Sequence, residues 1–133
     1  MASDQEAVDW RKLREFADVD LTQSFVLSWH YEAGAVLIDI DLLLLPDHPF
    51  YEKPRPAEKV CIRPALIEFP LCEMVKAGSG EGDTSTIVAG LGIGVIKGLR
   101  LLADGHYEIS GEFGVVEIES ERPLLRLKGP LIC

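Results

Sequence analysis

Residues 24–45, Ser-Phe-Val-Leu-Ser-Trp-His-Tyr-Glu-Ala-Gly-Ala-Val-Leu-Ile-Asp-Ile-Asp-Leu-Leu-Leu-Leu, form two apolar runs about Ala33-Gly34. Side chains of a strand point alternately to its two faces, so a hairpin keeps its apolar residues together in only one parity of register. With Glu32 opposite Ala35, Tyr31 meets Val36, Trp29 meets Ile38, Leu27 meets Ile40 and Phe25 meets Leu42. A slip of one residue sets Leu27 against Asp39 and Phe25 against Asp41 and spoils the buried face. The expectation is a β-rich domain whose opening hairpin turns Ser28, His30, Asp39 and Asp41 toward water.

Two further segments carry the same logic. Around Ala103-Asp104-Gly105, Leu101 meets Tyr107, Leu99 meets Ile109 and Arg100 meets Glu108. Around residues 120–123, Ile118 meets Leu125, Val116 meets Leu127 and Glu117 meets Arg126. In both, apolar faces apolar and charge faces opposite charge, the pairing that stabilises antiparallel neighbours. Gly111 and Gly114 flank Phe113 and predict a bulge or sharp bend.

Elsewhere the pattern changes. Ser3 and Glu6 have capping-box spacing, and Trp10, Leu13, Phe16 and Ala17 recur at helical intervals, which predicts a short helix over about residues 4–17 and a connector over residues 18–23. Pro46, Pro49, Pro54 and Pro56 make residues 46–59 a stiff loop. Residues 60–69 alternate again, and Pro64 places them at an edge or a bulge. Residues 71–76 admit a strand or a turn of helix, and residues 77–85 read as a loop. Residues 86–102 are read as strands, because Gly90, Gly92, Gly94 and Gly98 would each cost a helix about 0.8–1 kcal/mol. The sum is a mainly β chain: a single antiparallel barrel or sandwich of about seven strands over residues 24–130, preceded by one short helix, all in one domain spanning residues 1–133.

Charge narrows the partners. Thirteen Lys and Arg against twenty-two Asp and Glu give a net charge of -9, which repels phosphate backbones and anionic lipid, so neither nucleic acid nor a membrane surface is an expected partner. Cys61, Cys72 and Cys133 have no disulfide or zinc spacing, the start is acidic, and no apolar run approaches a membrane span. A cytoplasmic setting with reduced cysteines is expected. Gly90-Leu-Gly-Ile-Gly94 fits neither a dinucleotide fingerprint nor a P-loop, and His30, His48 and His106 stand too far apart for paired ligand spacing. No cofactor and no metal are expected.

Three surfaces remain. Asp47, His48, Phe50, Tyr51 and Arg55 gather acid, imidazole, aromatic rings and base on the proline-stiffened loop, a backbone that loses little entropy on binding, and are assigned to partner binding. His30, Asp39 and Asp41 are the weak catalytic candidates, since paired carboxylates beside a histidine supply acid–base chemistry. Glu108, Glu112, Glu117, Glu119 and Glu121 make the later strands acidic, and the apolar tail, residues 131–133, admits a homodimer contact. The resulting expectation is a non-enzymatic module that binds a protein partner. The alternative is a small-ligand-binding or hydrolase/isomerase-like barrel with a His/Asp pocket.

Overall fold

Alternation builds nearly everything in the computed structural model, which describes residues 7–51, 53, 60–78 and 82–128. Among these, nine strands and one α-helix follow in order: β1 (Val8–Asp9), β2 (Val19–Glu32), β3 (Ala35–Leu44), β4 (Cys61–Phe69), β5 (Met74–Ala77), α1 (Thr84–Ala89), β6 (Gly94–Leu101), β7 (Tyr107–Gly111), β8 (Gly114–Glu119) and β9 (Leu124–Leu127). The strands pair antiparallel in the order β5-β8-β7-β6-β2-β3-β4-β9, with β1 beside β6, and the sheet does not close into a barrel. Val36, Ile38, Ile40 and Leu42 on β3 share the buried interior with Ile67, Ile96, Ile109, Val116 and Ile118. Each such side chain contributes about 1.5–3 kcal/mol. Phe69 on β4 lies 5.7 Å from Tyr107 on β7, so strands distant in the sheet order meet in this core.

The β2–β3 hairpin turns through Ala33 (φ 51°) and Gly34 (φ 78°), the paired positive dihedrals that match strand twist. Its register follows expectation from Glu32↔Ala35 to Ser28↔Asp39 and then departs. Leu27 is the extra residue of a bulge, 45% exposed, after which Val26 faces Ile40 and Phe25 faces Asp41. The one-residue shift that a regular ladder forbids is absorbed locally by that bulge. Farther along, Asp20 faces Leu43 and Val19 faces Leu44, so residues 18–23 are largely strand rather than a connector. Between these paired stretches, the buried Ser24 donates to the Asp20 carbonyl and accepts from the Leu43 amide.

The expected α-helix over residues 4–17 is replaced, within the described part, by β1 and two 3-10 turns, Trp10–Lys12 and Arg14–Phe16, separated by extended Leu13. Trp10, Leu13 and Phe16 are all buried, and their three-residue spacing fits the 3.0-residue period of a 3-10 turn. Ser3 and Glu6 lie outside the described residues. Residues 84–89 form α1, not a strand. Asp83 caps it by accepting from the Thr86 amide, and the helix stops at Gly90, so no glycine sits inside it and the glycine penalty does not arise. Val88 anchors it in the core.

Pro64 lies within β4, between β3 and β9. Its carbonyl accepts from the Lys128 amide just past the end of β9, so the missing proline donor faces a point where the ladder has ended. The expected β8–β9 hairpin does not form: β8 pairs with β7 and β5, and β9 pairs with β4, placing Leu125 opposite Ile67 and Leu127 opposite Ala65. The β6–β7 pairs Leu101↔Tyr107, Arg100↔Glu108 and Leu99↔Ile109 match expectation. Gly111 and Gly114 bracket a two-residue turn whose Phe113 ring folds back to 5.2 Å from Trp29. A Cβ on Gly111 would stand 2.4 Å from the Val95 carbonyl oxygen, so that approach excludes any side chain.

Candidate functional site

Two consecutive proline turns present the loop assigned to partner binding. The His48 amide donates to the Leu45 carbonyl and the Tyr51 amide to the His48 carbonyl, with Pro46 and Pro49 each at the second position, where their fixed φ suits the turn. The Phe50 amide donates to His48 Nδ1 at 3.0 Å, and the two rings stand 5.9 Å apart. Burial holds the His48 pKa below its ordinary value against the opposing charge of Asp18, consistent with a neutral ring accepting at Nδ1. Tyr51 packs on the core, whereas Phe50 is 66% exposed and Asp47 is exposed. Arg55 lies outside the described residues.

The root of this loop borders a cleft. The Leu45 amide donates to the Asp18 carbonyl at 2.9 Å, and Leu45 shares with Trp10, Arg11, Phe16, Asp18 and Asp20 the lining of a cavity of about 250 Å³. Asp18 adopts a left-handed conformation (φ 59°), tolerated better by aspartate than by most residues. Partial burial raises the Asp20 pKa, but bonds from Thr22 and Gln23 and the charge of Arg11 outweigh it and hold the carboxyl below its ordinary value. Arg11 sits 4.6 Å from the Trp10 ring centroid and bonds Asp9 at 3.1 Å. Reading Trp10 and Phe16 as a helix stripe hid this cleft. The acid pair Asp18 and Asp20 was its one sequence signal, and the turn that sets Asp18 beside Leu45 depends on pairing 25 residues apart in the chain.

The catalytic candidates converge in part. Ser28 Oγ donates to Asp39 Oδ2 at 2.8 Å, and His30 Nε2 stands 3.0 Å from Ser28 Oγ and 3.1 Å from Asp39 Oδ2. Lys128 pairs with the other Asp39 oxygen. Burial raises the Asp39 pKa less than the bonds from Lys128 and Ser28 and the charges of Lys128 and His30 lower it, so this carboxyl stays ionised. Asp41 stands apart, opposite Phe25 and Pro64. A serine relay needs the histidine held by a carboxylate through one nitrogen while the other faces the hydroxyl. Here one nitrogen faces both groups, and His30 is half exposed on the open sheet face.

His106 is three-quarters covered and clamped by acids. Its Nδ1 lies 2.5 Å from Glu117 Oε2 and 3.6 Å from Asp104 Oδ2, and its Nε2 lies 3.4 Å from Glu119 Oε1. The bond that His106 donates to Glu117 raises the His106 pKa against burial, aided by the charges of Asp104, Glu117 and Glu119. Asp104, His106 and Glu117 could together face a cation. Their contacts already pair an imidazolium with carboxylates, which accounts for the arrangement. Cys61 and Cys72 are buried and unpaired, and burial raises the Cys72 pKa, the opposite of an activated thiol. No described helix is long and apolar enough to cross a membrane. No family model matches this chain, and no match to it was found among curated proteins or solved structures.

Proposed function

We propose that this chain is a non-enzymatic binding module that engages a protein partner through the cleft at Trp10, Asp18 and Leu45 and the rim formed by Asp47, His48 and Phe50. The observation that carries this reading is the Phe50 ring, 66% exposed on a loop fixed by two proline turns and bonded at its root to a cleft residue. A large aromatic held out on a stiff backbone has little ordering entropy left to lose, which is the profile of an interface anchor. A photo-crosslinking residue at position 50 is expected to capture a discrete partner in lysate of the source cells. The same residue at Val115, 55% exposed on β8, is expected to capture none. Identical capture patterns from both positions would remove the loop from the reading.

The rival reading is a hydrolase- or isomerase-like activity at Ser28, His30 and Asp39, supported by their mutual distances of 2.8–3.1 Å. Exposure of His30 and neutralisation of Asp39 by Lys128 weigh against it. The contact between Phe69 and Tyr107 supports reading the curled sheet as a sandwich. Cytosolic residence rests on the acidic, disulfide-poor composition.

A further inference from the structure

We infer that the cleft receives a cationic side chain, lysine or arginine, carried by a segment of the protein partner. This rests on the binding-module reading and adds the chemistry of what enters. Size limits the occupant first. A volume of about 250 Å³ falls below the roughly 300–1,000 Å³ of pockets that enclose drug-sized ligands, and it suits one long side chain.

Charge then chooses among side chains. Asp18 and Asp20 line the cleft and Asp47 stands on the adjoining turn, against Arg11 as the single base among the described lining residues. Arg11 bonds Asp9 and its charge also acts on Asp20, so this one base is shared among acids and leaves the cleft and its rim with an excess of negative charge. Asp20 is held by Thr22 and Gln23, neutral donors that fix the carboxylate in place without cancelling its charge. An anionic side chain would meet repulsion there, and an apolar one would strip water from carboxylates with nothing in exchange. A lysine or arginine meets both requirements, because its aliphatic stem can lie along Leu45, the exposed apolar side chain of the lining, while its head reaches the aspartates.

Amide-resolved NMR titration with Nα-acetyl-arginine amide and Nα-acetyl-lysine amide, against neutral Nα-acetyl-glutamine amide, tests this on the intact chain. Saturable shifts at Trp10, Asp18, Asp20 and Leu45 are expected for at least one cation and not for glutamine. In an Asp18→Asn, Asp20→Asn variant affinity is expected to fall about tenfold or more. Asparagine tolerates the left-handed backbone at position 18 and keeps an acceptor for Thr22, so this variant should retain the fold, which its amide spectrum reports. Glu73→Gln with Glu121→Gln removes the same charge from exposed sites outside the lining and is expected to leave binding unchanged. The inference is overturned by no saturable shift at those residues, by equal response to glutamine, or by equal weakening in the two double variants. Should crosslinking at position 50 succeed while cation binding fails, the ligand chemistry falls and the binding module stands. The converse result leaves the cleft's cation preference and removes the Phe50 rim.

Discussion

The two connections that flank β7 and β8 do opposite things with similar lengths of chain. Residues 102–106 reverse direction in place: the Leu102 amide donates to the His106 carbonyl, Asp104 accepts from the His106 amide, and Gly105 takes φ 91°. Residues 120–123 instead leave one half of the sheet for the other, with the Glu121 amide donating to Pro70, Arg122 reaching Glu15 at 2.6 Å and Pro123 buried. The first connection is satisfied by its own residues. The second is satisfied by segments distant in sequence, and β9 lands beside β4 as a result. Whether a strand returns to its neighbour therefore depends on whether the turn can close its own hydrogen bonds.

The largest expected effect contrasts the strands that this crossing separates. Ile118 on β8 is fully buried, so Ile118→Ala should lose about 2–5 kcal/mol in urea unfolding, whereas Leu125→Ala on half-buried β9 should lose roughly half as much. Equal losses would mean that β9 is as deeply anchored as β8. Next in size, Gly105→Ala should cost about 1–2 kcal/mol, because its left-handed backbone penalises a side chain although nothing lies within 4 Å of the added Cβ. Pro123→Ala, acting mainly through the unfolded chain, should cost under about 1 kcal/mol.

A smaller effect depends on pH. His106 has a folded pKa above its ordinary value of 6.5, so the stability it contributes is complete below about pH 6.5 and is lost as pH rises through the raised value. His106→Gln should flatten that decline in a pH series of urea midpoints, and an unchanged decline would detach the effect from this turn. Smallest of all is the coupling of Arg126, exposed and 3.1 Å from Glu68. A double-mutant cycle with Glu68→Gln should give about 0.2–1 kcal/mol, and one with Glu117→Gln should give none. Coupling to Glu117 would restore the β8–β9 hairpin.

These contrasts locate where sequence reasoning succeeds. Ile118 opposite Leu125 and Glu117 opposite Arg126 looked as complementary as Leu99 opposite Ile109, yet alternation is generic: Leu125 finds Ile67 and Ile118 finds Val75 by the same rule. At Leu27 the ladder gives way because a bulge lets Val26 meet Ile40 without moving the rest of β3. The two turns of the loop at residues 45–51 were legible because Pro46 and Pro49 fix their own turns. The loop's junction with Asp18 was not, since β2 and the end of β3 meet only after the sheet forms.

Side-chain period and turn dihedrals are local properties, and from them the sequence alone determined a β-rich chain, the Ala33-Gly34 reversal and the β6–β7 pairing. Strand partners, the replacement of an expected helix by 3-10 turns, the gathering of acids around His106 and the cleft beside Leu45 were decided by tertiary structure. Each of these requires groups far apart in the chain to exclude water together, and that free energy exists only once the surfaces have met.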